Sequence, residues 1–250
     1  MELKKESFTI KKGLDIQLEG EAVRNLKTHL SSKSYIFPTD FRWFVPKLLV
    51  KEGDPVTVGT PLFCKKRDER VCVVSPVNGK ITQIVRGEKR VLEVIEIENE
   101  ATSIPKRCEI PENLSSSIIQ SLMLQNGLWP MLRQRPFSVI PSPDKKPKSL
   151  FISCFDSSPL APDFFFLLNN QKEMWQKGVE ILKLLLGEIP IYLGLNRNDN
   201  NSIFEETKDV NIRYFSGPHP AGNVGTQIHL VDPINKGESV WFIHPQDVVT

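Results

Sequence analysis

Apolar and polar positions alternate with a period of two over much of residues 1–100, and helical spacing appears only beyond residue 115. Phe8-Thr9-Ile10, the turn Lys11-Lys12-Gly13 and Leu14-Asp15-Ile16 read as two short strands that open a β module. The module continues through Val50 to Leu62, Val71 to Val74, Ser75 to Ile81 and Val91 to Ile97, with turns at Gly53-Asp54, Gly59 and Asn78-Gly79. Past Ala101 the chain becomes polar and irregular, with Ser103, Pro105 and Pro111 marking a linker. Ser115-Ser116-Ser117 then predicts the cap of a helix that carries Ile118, Ile119, Leu122 and Met123 and ends near Gly127. Pro141 to Pro147 marks a domain boundary. Beyond it, an apolar strand Ser149 to Cys154 precedes a helix over Met174 to Leu186, with Val179, Leu182, Leu185 and Leu186 on one face and Gly187 as its stop. Ile189 to Leu195, Val210 to Phe215, Gln227 to Val231 and Val240 to Ile243 read as further strands. The fold class is therefore α/β plus β: a β module over 1–100, a helical and Pro-rich linker over 101–147, and an α/β layer with a largely parallel sheet over 148–250.

Composition narrows the function classes. A chain of 250 residues with 40% apolar and 25% charged residues is ordinary globular material, long enough for a real core. Its 32 basic and 30 acidic residues nearly cancel, so no broad positive field draws nucleic acid, and none is expected as a partner. Cys64, Cys72, Cys108 and Cys154 form no C-x-x-C pair and read as reduced thiols of a cytoplasmic protein. Met1-Glu2-Leu3-Lys4-Lys5 leads into no apolar signal core, and the apolar runs Phe164 to Leu168 and Val179 to Leu195 are too short or interrupted to span a bilayer.

The β module resembles the barrel-sandwich hybrid of lipoyl and biotinyl carrier domains. A carrier needs an exposed lysine in an Asp-Lys-Ala or Met-Lys-Met setting on its central hairpin, and this chain has Cys64-Lys65-Lys66-Arg67-Asp68-Glu69-Arg70 there. The fold signal is present without the attachment signal. The α/β layer likewise lacks a dinucleotide fingerprint, because the turn Asp156 to Asp163 contains two prolines and no glycine. In Gly127 to Phe137, Arg133 and Arg135 either hold a carboxylate or phosphate or tie the linker to the β module, with the structural role preferred. The stretch Phe215 to Pro233 packs Gly217, Gly222 and Gly225 with three prolines and with His219 and His229. It specifies a shape more clearly than a reaction. His219, His229 and His244 read as loop-fixing hydrogen-bonders in preference to metal ligands, so no metal site and no catalytic residue is predicted.

Several of these motifs carry a resemblance. Ile10 to Ile16, Arg86 to Leu92, Gly127-Leu128-Trp129 with Arg133 to Phe137, and Gly217 to Gly222 with Gly225-Thr226 and Ile228-His229 are similar to the NqrA family of sodium-translocating NADH:quinone oxidoreductases. More distantly they resemble the RnfC electron-transport subunits and the flavoprotein subunit of complex I. The resemblance implies a Rossmann-like α/β layer in a peripheral subunit on the cytoplasmic side of the membrane. It would have the other subunits of the complex, including membrane-embedded ones, as partners and no covalently bound cofactor. Ubiquinone or menaquinone is the implied ligand, with Trp129, Arg133, Arg135, Pro136 and Phe137, and Phe37 and Arg42, as quinone-proximal candidates. Trp129 and Phe137 would wall an apolar slot into which an arginine donates. A docking scaffold for membrane partners with no ligand site of its own is the alternative. Arg42-Trp43 stands where the family commonly has Arg-Pro, and further C-terminal strands and domains are expected beyond Thr250.

Overall fold

The computed structural model describes residues 6–16, 18–20, 22–100, 110–199 and 202–250. Cys108 and the linker positions Ala101, Ser103 and Pro105 lie outside these residues, as does the Met1 to Lys5 start. The chain divides into two compact units, one formed by Leu26–Pro130 and the other by Met1–Asn25 with Met131–Thr250. The first strand, β1 (Ser7–Thr9), does not open the β module. It pairs in parallel with a strand near the far end of the chain, Ser7 opposite Tyr214 and Phe8 opposite Phe215. The Phe8 ring stacks on Phe215 at 5.4 Å, a long-range contact that local alternation cannot reveal.

The Leu26–Pro130 unit consists of antiparallel strands in two sheets. β2 (Lys33–Ile36), β4 (Pro55–Val56), β7 (Gly79–Arg86) and β8 (Leu92–Asn99) form one in the order β2-β8-β7-β4, while β3 (Pro46–Leu48), β5 (Pro61–Lys65) and β6 (Asp68–Val74) form the other as β3-β5-β6. Leu62, Phe63, Val71, Ile81, Ile95 and Ile97 are buried, which accounts for the apolar phase of the alternation. The polar phase faces water. The β5–β6 hairpin carries Lys66 and Arg67 exposed at its tip, and Cys64 stands directly opposite Cys72 across it. Helix α1 (Ser116–Gln125) starts where its cap predicts, with Ser115 Oγ accepting from the Ile118 N–H at 3.3 Å. Its buried face, Ile119 and Met123, belongs to this same unit.

The second unit is a six-stranded sheet in the order β1-β12-β11-β10-β13-β9. β9 (Arg133–Arg135) is antiparallel to its neighbour, and β10 (Leu150–Ser153), β11 (Ile191–Asn196), β12 (Asn211–Ser216) and β13 (Val240–Phe242) are parallel. α2 (Phe164–Leu168) and α3 (Lys172–Leu186) connect β10 to β11, α4 (Ser202–Glu205) connects β11 to β12, α5 (Val224–Val231) connects β12 to β13, and α6 (Pro245–Val248) follows. α3 buries Trp175, Val179, Leu182, Leu185 and Leu186, and Gly187 ends it at φ +65°, as the sequence predicts. The strands of this layer are apolar on both faces, in keeping with a sheet covered on each side.

Two sequence expectations are corrected here. Gln227 to Val231 is helical. Asn223 Oδ1 accepts from the Gly225 N–H at 2.8 Å and starts a turn whose buried residues, Gln227 and Ile228, are followed by exposed His229 and Leu230. The apolar run is too short for periodicity to separate strand from buried helix. Leu14-Asp15-Ile16 is not a strand either: Leu14 and Ile16 are 75% and 61% exposed, and the segment is held by its backbone. The Leu14 N–H donates to the His219 carbonyl at 3.1 Å, and Asp15 Oδ1 accepts from the His219 N–H at 2.8 Å. A Cβ on Gly13 would run into that same carbonyl oxygen, so glycine is what lets the two segments approach.

Candidate functional site

The four parallel strands that follow one another in the chain, β10 to β13, stand in space as β12-β11-β10-β13. Chain direction across the sheet therefore reverses between β10 and β13, and the loops leaving their carboxyl ends diverge. A crevice at such a switch point is where open α/β sheets bind ligands. Here it is a cleft of about 260 Å³. Ser153 and Phe242 line it from the ends of β10 and β13, with Phe155, Phe164, Arg135 and His219 and the start of α5 at Gly222 to Val224.

Hydrogen bonds over long sequence distances shape this cleft. Gln227, fully buried on α5, donates through Nε2 to Ser153 Oγ at 2.8 Å and lies 3.3 Å from the Ala221 carbonyl. Ser153 Oγ is in turn 2.9 Å from the Phe155 carbonyl and 3.0 Å from that of Gly222. Gly222 donates its N–H to Ser157 Oγ at 2.8 Å, and a Cβ there would strike the Asp156–Ser157 backbone. Ser157 Oγ also lies 3.0 Å from His219 Nδ1. The hydroxyl thus joins the Gly222 backbone to the imidazole and fixes the position of the ring. A histidine that reads in sequence as a loop fixer is thus held in one orientation in the cleft lining.

Arg135 supplies the charge. Its guanidinium Nη2 would lie 3.0 Å from a Cβ on Gly225, so the absence of a side chain in the first turn of α5 makes room for it. The Arg135 side chain makes no hydrogen bond or ion pair with any described residue. A cation beside a helix N-terminus sits at the positive end of the macrodipole, which leaves both groups open to an electron-rich oxygen. Asp156 also lines the cleft, and its Oδ1 accepts from the Ser158 N–H at 2.8 Å.

The predicted site residues separate. Arg135, His219 and Gly222 line the cleft, and Gly225 lies against Arg135. Arg133, on the same strand, is partly buried; burial holds its guanidinium below the usual arginine range, with Asp247 acting in the opposite sense. Burial pushes the Asp247 carboxyl up, against the pull of His244 and Arg133. Pro136 and Phe137 are exposed and lie outside the cleft lining. Trp129 is buried in the Leu26–Pro130 unit, which also holds exposed Phe37 and Arg42. His229 is exposed in the last turn of α5. No group of three or more His, Cys, Asp or Glu side chains among the described residues could hold a metal ion. Sequence reasoning missed Ser153, Ser157 and Gln227, for which the one available signal was position at a strand end or helix start.

Comparison with known proteins agrees with both halves of this architecture. A family profile described as the NqrA N-terminal barrel-sandwich hybrid domain matches residues 8–100, and one described as the NqrA second alpha/beta domain matches residues 114–250. The NqrA subunit of the Na(+)-translocating NADH-quinone reductase of Haemophilus influenzae (strain PittEE) is 35% identical over 247 residues, covering 97% of this chain and 55% of that protein. Its counterparts in Actinobacillus pleuropneumoniae serotype 5b (strain L20) and Glaesserella parasuis serovar 5 (strain SH0165) are each 34% identical, over 250 and 249 residues, with the same coverage. The chain thus spans about half the length of the relatives it matches. With profiles covering both its barrel-sandwich and its α/β unit, the chain belongs to the NqrA family.

Proposed function

We propose that this chain serves as the NqrA subunit of a Na+-translocating NADH–quinone reductase and that its part is to bind a quinone head group without reducing it. The relatives carry that subunit's name, and the observation that carries the ligand reading is the convergence of Arg135 and His219 on one aromatic-walled cleft. A quinone presents a flat apolar ring with two carbonyl oxygens that only accept hydrogen bonds. The guanidinium of Arg135 and the His219 ring, in the tautomer with its proton on Nε2, are donors for those oxygens, and Phe155, Phe164 and Phe242 offer apolar surface to the ring. The glycine-free turn Asp156 to Asp163 supports a non-redox role, because it offers no close backbone approach to a nucleotide pyrophosphate. The chain works peripherally on the cytoplasmic side with the complex's other subunits, membrane-embedded ones among them. No helix of the described residues is long and apolar enough to cross a membrane.

The test is a titration of the protein with short-chain ubiquinone and menaquinone analogues, read as a rise in unfolding temperature and as photolabelling by a reactive quinone. Arg135→Gln is expected to weaken binding about tenfold, the worth of one charge-assisted hydrogen bond. Labelled peptides should come from 153–164, 219–224 and 242–244. Thermal stability unmoved by either quinone, with retained binding to membrane subunits, would replace this reading by that of a docking scaffold.

A further inference from the structure

Outside the cleft, the feature with the most unexplained chemistry is the exposed edge of the Leu26–Pro130 unit around Trp43. Two tight turns lead to it: Phe41 N–H donates to the Pro38 carbonyl at 3.2 Å and Phe44 N–H to that of Phe41 at 3.1 Å. Phe41 and Phe44 pack edge-on against buried Phe63, with centroids 6.0 and 5.7 Å away, and root the turns in the core. Between them Trp43 takes φ +58°, a left-handed conformation that residues with a Cβ avoid. The indole is thrown outward, 63% exposed, from a rigid base.

Charge collects beside it. The Arg42 guanidinium lies 5.5 Å from the Trp43 ring centroid. Val45, also exposed, accepts from the Lys66 N–H at 2.9 Å, and Pro46 pairs with Lys65, so the cationic tip Lys65-Lys66-Arg67 stands against the turn. The acids of this hairpin are already neutralised, Glu69 by Lys47 at 2.6 Å and Asp68 by Arg70 at 2.7 Å. Arg42, Lys65, Lys66 and Arg67 have no ion pair with a described residue. Asp40 on the preceding turn is the opposing charge.

We propose that this edge, with Trp43 and Val45 as its apolar contacts and Arg42, Lys65, Lys66 and Arg67 as its cations, docks on an anionic lipid surface. Indole rings settle at the level of lipid headgroups, and flanking cations are drawn to acidic leaflets. The apolar residues stand exposed on turns, which suits a flat, deformable surface better than an extended peptide. The inference does not depend on the quinone reading.

The same geometry supplies the probe. Of the four tryptophans, Trp129, Trp175 and Trp241 are 1, 1 and 2% exposed, so a change in emission on docking reports Trp43. The protein is mixed with vesicles of phosphatidylcholine alone or with about 30 mol% phosphatidylglycerol, with and without brominated chains. Sedimentation with the anionic vesicles only, a blue shift, quenching by the brominated lipid and release by salt are expected. The double variant Lys66→Glu, Arg67→Glu should lower partitioning about tenfold or more, since two attractions become repulsions. Both sites are exposed, and circular dichroism checks that the fold is kept. Trp43→Ser should reduce binding and lose the quenching. Equal sedimentation with neutral vesicles, unquenched emission, or binding indifferent to these variants would overturn the proposal. So would shielding of Trp43 by the complex's protein subunits in lipid-free detergent with vesicles inert, which would assign the edge to an acidic protein partner.

Discussion

The edge around Trp43 and the cleft around Arg135 contain the same ingredients, aromatic side chains beside cations that have no acidic partner among the described residues, yet they are opposite in shape. On the edge the groups project from turns and are bathed in water, so each charge is screened and useful only against a large surface of opposite sign. In the cleft they converge, half-buried, on a volume of about 260 Å³, where a single donor counts for more. Shape decides whether an unsatisfied cation meets a surface or a molecule. The contrast extends to the two places where folds of these kinds commonly carry chemistry. The hairpin of a carrier domain has no attachment motif here, and its acids are paired with its own neighbours. The switch-point crevice has no glycine fingerprint but keeps an unpaired arginine and an oriented histidine.

The sharpest way to separate the two regions is to close the cleft. Gly222→Val places side-chain atoms on the Asp156–Ser157 backbone and should cost about 3 kcal/mol of stability by urea unfolding. It should abolish quinone binding while vesicle binding is unchanged. Gln227→Leu leaves shape nearly intact but removes the donor to Ser153 and Ala221; a loss of about 1–2 kcal/mol is expected, again with vesicle binding unaffected. Ser157→Ala is gentler, about 1 kcal/mol, and its more telling effect is on ligand binding. It removes the partner of His219 Nδ1, so the ring is no longer held in one orientation and quinone affinity should fall several-fold.

The smallest effect lies under the hairpin. Cys72 is pushed up to about 11 from 9.0, first by burial and then by Cys64, and burial raises Cys64 as well. A raised thiol pKa means that the folded state holds its protons more tightly than the unfolded one. Stability from this source is therefore complete below pH 9 and is lost as the pH rises through about 11. Alkylation of Cys64 and Cys72 at pH 8 should be slow, and Cys72→Ser should flatten the alkaline fall in stability; equal rates for folded and unfolded protein would contradict this.

Elements whose signals are local were legible. Ser115 capped α1 and Gly187 ended α3 as expected, since a cap is a contact between residues three or four apart. The strands of the barrel-sandwich unit followed from alternation and turn signals, although β5 buries Leu62, Phe63 and Cys64 in succession. The miss at α5 has the converse cause: a short apolar run packed under a sheet shows neither period clearly, and the deciding cap is Asn223, a residue equally at home in a turn. Arg135 and His219 were among the candidates, but as members of separate stretches.

Local chemistry along the chain was enough to settle most element types, α5 and Leu14 to Ile16 excepted, together with the two architectures and the absence of carrier and dinucleotide motifs. Only the assembled fold decided that β1 closes the edge of the α/β sheet, that Arg135 rather than Trp129 or Phe137 lines the cleft, and that His219 is tied to Ser157 beside it. The reason is distance along the chain. Ser157 and His219 are 62 residues apart, Ser153 and Gln227 are 74 apart, and Asp15 and His219 are 204 apart. Such pairs are brought together by burial of the sheet's apolar faces, a collective term that no single stretch of sequence carries.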